Sequence, residues 1–497
     1  AITSGGNNIA SGYESLRYNE KGYGNIAIGH LAGKFVTSSL NVAIGMEAGK
    51  GKTSAPYNSG ESNISIGPYT NYDVSTGKRN VSVGGRAGYE MDTGTDNTLL
   101  GNNAGYNVKD AVGATIVGGY AGRYMTGSYN TFVGYAAGDG ATTSAPYGSG
   151  GDNTGVGKNA LTRLTTGIEN TALGKDALAY VSTGGSNIGI GLFAGGNTTT
   201  ANGNIYIGRS TGYGNQSGIE NVIIGEYGYS HTTGVVNFRN VTTLGSNAGR
   251  YATGSYNTFL GSYAGQGTNT SAPFNSGEKN TVIGFEALKV FTTADNNTIL
   301  GYRAGYSTTT GNNNVYLGYQ AGYRGTTARE NVAIGSNSQQ GVSGQTTGRY
   351  NVSLGVNSLF GLTTGNHNFV VGSNAGLSLT GGEHNVIIGS AAGDALTTTS
   401  NAIMIGREAG TNINSGDANG TVLVGTYAGR ALTEGQYNTM VGNQAGQLVT
   451  TADGNTFVGH QAGKNWTTAG TNTALGFEAL YRYDTNTHGD IMLDILV

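Results

Sequence analysis

Cysteine is absent from the 497-residue chain, which removes disulfides, thiolate zinc sites and cysteine nucleophiles together. Proline is scarce, at 4 residues, and tryptophan occurs once. Charged residues make up 11%, against about 25% in ordinary globular domains. The balance of 26 basic to 29 acidic side chains offers no electrostatic footprint for nucleic acid or anionic lipid. No apolar run approaches the roughly 18 residues that span a bilayer, and the opening Ala1-Ile2-Thr3-Ser4-Gly5-Gly6 lacks the basic and apolar regions of a leader. The sequence thus predicts a soluble chain with no nucleic-acid partner and no membrane insertion.

What the chain has is glycine, 90 residues of it, together with 31 Tyr and a hydrophobic fraction of 37%. Disordered segments combine few aliphatics with high net charge, whereas the formal charge here is -3, so the chain should fold. One pattern recurs throughout: Asn, a β-branched residue, a variable residue, an aliphatic residue, Gly, two variable residues, Ala, then Gly or Leu. Asn41-Val42-Ala43-Ile44-Gly45, Asn130-Thr131-Phe132-Val133-Gly134 and Asn455-Thr456-Phe457-Val458-Gly459 are examples. The central Gly occurs 26 times from Gly29 to Gly476, most often 17 residues apart.

That period is too short for paired-helix repeats, and several glycines per period would each cost about 1 kcal/mol inside a helix. The aliphatic–variable–aliphatic alternation predicts a short strand, with the flanking aliphatics, such as Val133, Leu300 and Val458, expected inward. Ala three residues after the central Gly marks a crowded site. Thr pairs before a Gly, as in Thr165-Thr166-Gly167 and Thr363-Thr364-Gly365, predict a second extended segment closed by a turn. The fold class expected is all-β, a β-roll-like parallel β-solenoid of about 26 coils with a period near 17 residues. Residues 1–24 are set apart as an N-terminal cap or junction, 25–480 as the array, and 481–497 as a C-terminal cap or junction. The repeated Asn is explained by stacking: its amide can pair with its column neighbours and with turn backbone. A single coil offers few inward aliphatics against the entropy of ordering 17 residues, so lateral burial against further copies of the chain, a parallel homo-oligomer, is expected.

Strings such as Asn331-Val332-Ala333-Ile334-Gly335 and Asn41-Val42-Ala43-Ile44-Gly45-Met46-Glu47-Ala48 resemble the head repeats of trimeric autotransporter adhesins. Asn455-Thr456-Phe457-Val458-Gly459-His460-Gln461-Ala462-Gly463 is similar to repeats of phage tail-fibre-like proteins. The resemblance covers residues 25 to 480. It implies a homotrimer of parallel β-rolls, an extracellular location on a virion or bacterial cell surface, and attachment to a host.

Three coils carry near-identical insertions, Ser54-Ala55-Pro56-Tyr57, Ser144-Ala145-Pro146-Tyr147 and Ser271-Ala272-Pro273-Phe274, and residues 123–157 match 250–284 at an offset of 127, as an internal duplication would. Insertions in a solenoid emerge on its surface. Tyr57, Tyr147 and Phe274 at these loops, with Tyr135, Tyr302 and Tyr319 just after central glycines, are the candidate surface contacts. Catalytic chemistry has no comparable signal. No Ser-His-Asp order, zincin motif or phosphate loop stands out. His367 and His384 lie one period apart beside Glu383, but the same column holds Arg79, Asp96, Glu169 and Lys279 in other coils, which reads as a solvated face rather than a metal site. The expectation is a non-enzymatic structural fibre or adhesin without cofactor or metal, binding itself and a host surface glycan or protein receptor. The alternatives are a tailspike-type enzyme degrading surface polysaccharide, with carboxylates on adjacent coils, and an ice-binding β-solenoid displaying Thr columns.

Overall fold

The structure, a computed structural model, describes residues 5–481 and 491–493 apart from 55–56, 141–146, 231–236, 269–274, 343–345, 415 and 417. The chain is an all-β parallel β-solenoid of about 26 turns and divides into two units, Ala1–Thr243 and Leu244–Val497. In the first unit, three-residue strands run from Ile9–Ser11 to Val222–Ile224, each paired in parallel with the strand one coil on. The register is uniform: Thr154, Thr171, Ile188, Ile205 and Val222 stand in one column. The second unit repeats the arrangement from Thr258–Leu260 to Thr473–Leu475 and pairs Ile491–Leu493 onto its end. The first strand, Ile9–Ser11, falls within the segment the sequence set apart as 1–24.

The central glycines form one column within each unit, with φ between +125° and +145°. A side chain is excluded there by the neighbouring coil: a Cβ on Gly118 would lie 2.7 Å from the carbonyl carbon of Gly134. Asn stacking is likewise realised. The buried Asn297 donates from its backbone N–H and from Nδ2 to Asn280 Oδ1, both at 3.0 Å, and its Nδ2 also reaches Gly311 O at 2.9 Å. Its own Oδ1 then accepts from Asn314 N–H at 3.0 Å. Each Asn thereby satisfies one coil's strand entry and the following coil's turn carbonyl, groups that burial would otherwise leave costly.

The facing of the strand is the reverse of the sequence expectation. Val133 and Val458 are only half-buried and Leu300 is 42% exposed. The variable residue between the aliphatics, Phe132, Ile299 or Phe457 in these coils, is the one fully buried. Side chains alternate along a strand, so one phase choice fixes the whole face. The Asn settles it: its amide must turn inward to reach the turn carbonyl, so the residue after it points out and the next points in.

The Thr pairs also differ from expectation. Instead of a second strand they form a nest: Thr363, Thr364 and Gly365 all point their N–H groups at Thr380 O, at 3.0, 3.0 and 3.1 Å. Three donors converging on one carbonyl cannot build a ladder. Regular pairing in this part of the coil is reduced, among the described residues, to isolated bridges such as Thr95–Val112. After the three insertions the chain is bridged to the preceding coil at Asn58, Gly148 and Asn275.

The core has a second, mostly apolar column, seven residues after the central Gly, that complements the strand centre in size in some coils. Where the strand centre is Ser82, the partner column holds Met91; where it is Tyr206, the column holds Asn215, whose Nδ2 donates to the Tyr206 hydroxyl at 2.6 Å. Tyr316 is matched by Gly325, whose added Cβ would lie 2.8 Å from the Tyr316 hydroxyl. Dense interiors convert such overlap into destabilisation of about 1–3 kcal/mol. Gly325→Ala should therefore lower stability by about 2 kcal/mol, while in a Tyr316→Phe background its cost should shrink by at least about 1 kcal/mol. Equilibrium unfolding of the four-member cycle measures this, and strictly additive changes would refute the size matching.

Candidate ligand and assembly surfaces

Two kinds of surface follow from this geometry. The first is the outer face of the sheet. From Ile28 to Leu475, the residue before every central Gly is Val, Ile or Leu, and the residue three before is β-branched except for Phe369. These two columns face outward: Leu173 is 49% exposed and Leu475 47%. In the first unit alone, twelve such strands spaced about 4.8 Å apart and three residues wide make an outer face of roughly 600 Å², aliphatic along one column and aliphatic or Thr along the other. Solitary soluble proteins rarely expose so large a contiguous apolar patch, and parallel sheets are ordinarily covered on both faces.

The second surface is built from aromatic columns on the turns. Rings one coil apart stack: Tyr72 on Tyr89 at 5.0 Å and Tyr89 on Tyr106 at 4.8 Å in the first unit, and Phe285, Tyr302 and Tyr319 at 5.6 and 5.3 Å in the second. The expected contact Tyr302 therefore lies between two rings and offers its edge and hydroxyl, while Tyr319 ends its ladder with a ring on one face among the described residues. Tyr57 lies against Phe35 at 6.0 Å and Tyr147 against Tyr124 at 6.1 Å, as members of ladders on the body of the coil. Tyr135 packs edge-on to Tyr120 at 5.7 Å and is 56% exposed. Phe274, with Pro56, Pro146 and Pro273, lies outside the described residues. Tyr57, Tyr135 and Tyr147 belong to the first unit, Tyr302 and Tyr319 to the second.

His367 and His384 stack at 4.9 Å beneath Tyr350. Glu383 is engaged by Asn366 Nδ2 at 2.8 Å, and among the described residues no cluster of three or more potential ligands converges on a metal position. One concavity in the first unit gathers side chains of several chemistries. A cleft of about 480 Å³ runs beside Tyr106, Tyr120, Tyr124 and Tyr147, with Arg86, Arg123, Glu90 and Asn103 around it. Arg86, Asn103 and Tyr120 occupy the second turn position of successive coils with φ of 58°, 54° and 60°. That left-handed backbone holds the chain in the stack, as Asn103 N–H does by donating to Gly85 O at 2.9 Å. Arg123 makes a two-pronged ion pair with Asp139 at 2.9 Å on both arms. Burial raises the Asp139 pKa, with Arg123 opposing the rise. Burial also raises the pKa of the Tyr106 phenol, and the Glu90 charge adds to this, so the hydroxyl remains a neutral donor at physiological pH.

Sequence reasoning singled out Tyr147 and the recurring Tyr106 but missed the Arg86, Arg123, Glu90 and Asn103 that surround them in the cleft. The signal was present only as a column read across coils, with Arg86 and Tyr120 at one turn position and Tyr106 and Arg123 at another. No protein-family model, curated protein or solved structure matches the chain.

Proposed function

We propose that the protein is a non-enzymatic, oligomeric β-solenoid fibre, a parallel homotrimer. It displays an attachment surface for a host glycan or protein receptor from a virion or bacterial cell surface. The observation that carries this reading is the unbroken aliphatic column on the outer face of the sheet. Burying it between copies of the chain supplies the apolar area that one coil lacks, since stable interfaces remove about 800 Å² per partner. The resemblance to trimeric adhesin heads and tail-fibre-like repeats points the same way. Repetition of weak contacts along each chain and across three chains then gives attachment strength through avidity.

An enzyme acting on polysaccharide needs two carboxylates flanking the bond to be cut. The cleft at Tyr106 is lined by one, Glu90, which is held by Asn107. The full-length protein incubated with surface-bearing cells and with their purified polysaccharide is expected to be retained on the surface without releasing reducing sugar. Release of fragments would replace the fibre reading with the enzymatic one.

A further inference from the structure

We propose that the cleft where the Tyr72–Tyr89–Tyr106 ladder ends binds an acidic saccharide, with a pyranose ring against the free face of Tyr106 and its carboxylate at Arg86. The inference rests on the attachment reading above and adds to it the chemical class of the ligand. Sugars pack their C–H faces on aromatic faces, and inside a stacked ladder those faces are already covered. Only a ladder's end exposes one. Tyr106 is such an end: Tyr89 covers one face at 4.8 Å. In the next coil the same column position is Arg123, whose guanidinium lies over Tyr120 at 4.8 Å and Tyr124 at 4.4 Å instead. Among the described residues no ring covers the second face of Tyr106.

Charge decides the class of sugar. Arg123 is spent on Asp139, and Glu90 accepts from Asn107 Nδ2. Arg86 lines the same cleft, is exposed, and makes no ion pair among the described residues. Its guanidinium stands over the Tyr69 ring at 5.9 Å, a face contact that leaves its N–H edge for a two-pronged match to a carboxylate. Asn103 adds an amide at the wall, so hydrogen-bonding capacity for hydroxyls remains. The volume, about 480 Å³, is within the range of small-molecule sites.

The test is calorimetric titration of the full-length protein with uronic-acid and sialic-acid oligosaccharides, each beside its carboxyl-reduced neutral counterpart. An acidic oligosaccharide is expected to bind at least tenfold more tightly than its reduced form. Arg86→Gln should abolish that preference while leaving the unfolding temperature unchanged, and Tyr106→Ala should remove binding of both forms. Arg209→Gln, a distant exposed arginine, should change nothing. Equal affinity for acidic and reduced forms, or an Arg86→Gln variant that keeps the preference, would overturn the proposal. Absence of saccharide binding by a protein that still attaches to cells would overturn it too, leaving the fibre reading intact with a protein receptor as the target. Failure of the unaltered protein to attach to any surface would instead sink the fibre reading itself.

Discussion

Gly118→Ala is expected to destabilise the first unit by about 4 kcal/mol or more, whereas Gly119→Ala, one residue on, should change stability by less than about 0.5 kcal/mol. The two substitutions add the same methyl group to neighbouring glycines, so composition cannot separate them. Position separates them. Gly118 has φ +132°, and its Cβ would fall on the Gly134 carbonyl, 2.7 Å from the carbon and 3.2 Å from the nitrogen. Gly119 carries no positive φ, and its Cβ would meet only the Tyr135 ring at 3.7 Å, an ordinary contact. The obstacle at Gly118 is backbone, which can yield only by pushing two coils apart. In a solenoid each coil touches only its neighbours, so the lost pairing is not recovered elsewhere. Thermal unfolding of both variants checks this, with a fall of roughly 10 °C or more expected for Gly118→Ala alone. Similar effects at the two positions would contradict the stacked-glycine column.

The second large effect concerns the outer face. If the chain assembles as the proposed trimer, Leu173→Glu should dissociate it, because three symmetry-related carboxylates would be brought together at one level of an apolar interface. Each buried, unpaired carboxylate costs several kcal/mol, and the lost leucine removes about 1.5–3 kcal/mol of burial per chain. In an isolated chain the same substitution would be nearly free, since Leu173 stands 49% exposed. Sedimentation of the variant should therefore show loss of the assembled species. An assembled mass and an unfolding temperature both unchanged from the unaltered protein would place the interface elsewhere.

What the sequence revealed depended on how strictly a position is constrained. The central glycines and the Asn were legible because backbone contact admits only Gly, as at Gly118, and amide stacking favours Asn, as at Asn297, with Ala114, Val241, Ala402 and Thr421 the exceptions among the 26 coils. The phase of the strand was not legible. Val133 and Leu300 carry the apolar character that normally marks an inward position, and only the reach of the Asn amide reverses the assignment. The second core column, mostly aliphatic as at Val108, Leu362, Leu379 and Leu396, was not read as a column because it lies outside the strand and is interrupted by Asn215, Gly325 and Trp466. Met91, Asn215 and Gly325 each compensate the size of the residue across the coil, a relation that shows only when two separate positions of the coil are compared. The cleft at Tyr106 draws on several coils, so no local string encodes it. The free face of Tyr106 depends on where a ladder stops.

The outward aliphatic columns carry the central claim, that copies of this chain cover the outer face of the sheet. The most direct measurement is the mass of the full-length protein by light scattering across a dilution series at micromolar concentration. Burial of the stripe predicts an assembled species with no dependence on concentration, and the proposed trimer puts its mass at about 150 kDa, three chains of 50.6 kDa each. A stable, folded species of 50.6 kDa would contradict it. That result would leave the outward Thr98, Thr115, Thr131, Thr154 and Thr171 and their aliphatic neighbours in contact with water, the arrangement an ice-binding solenoid requires.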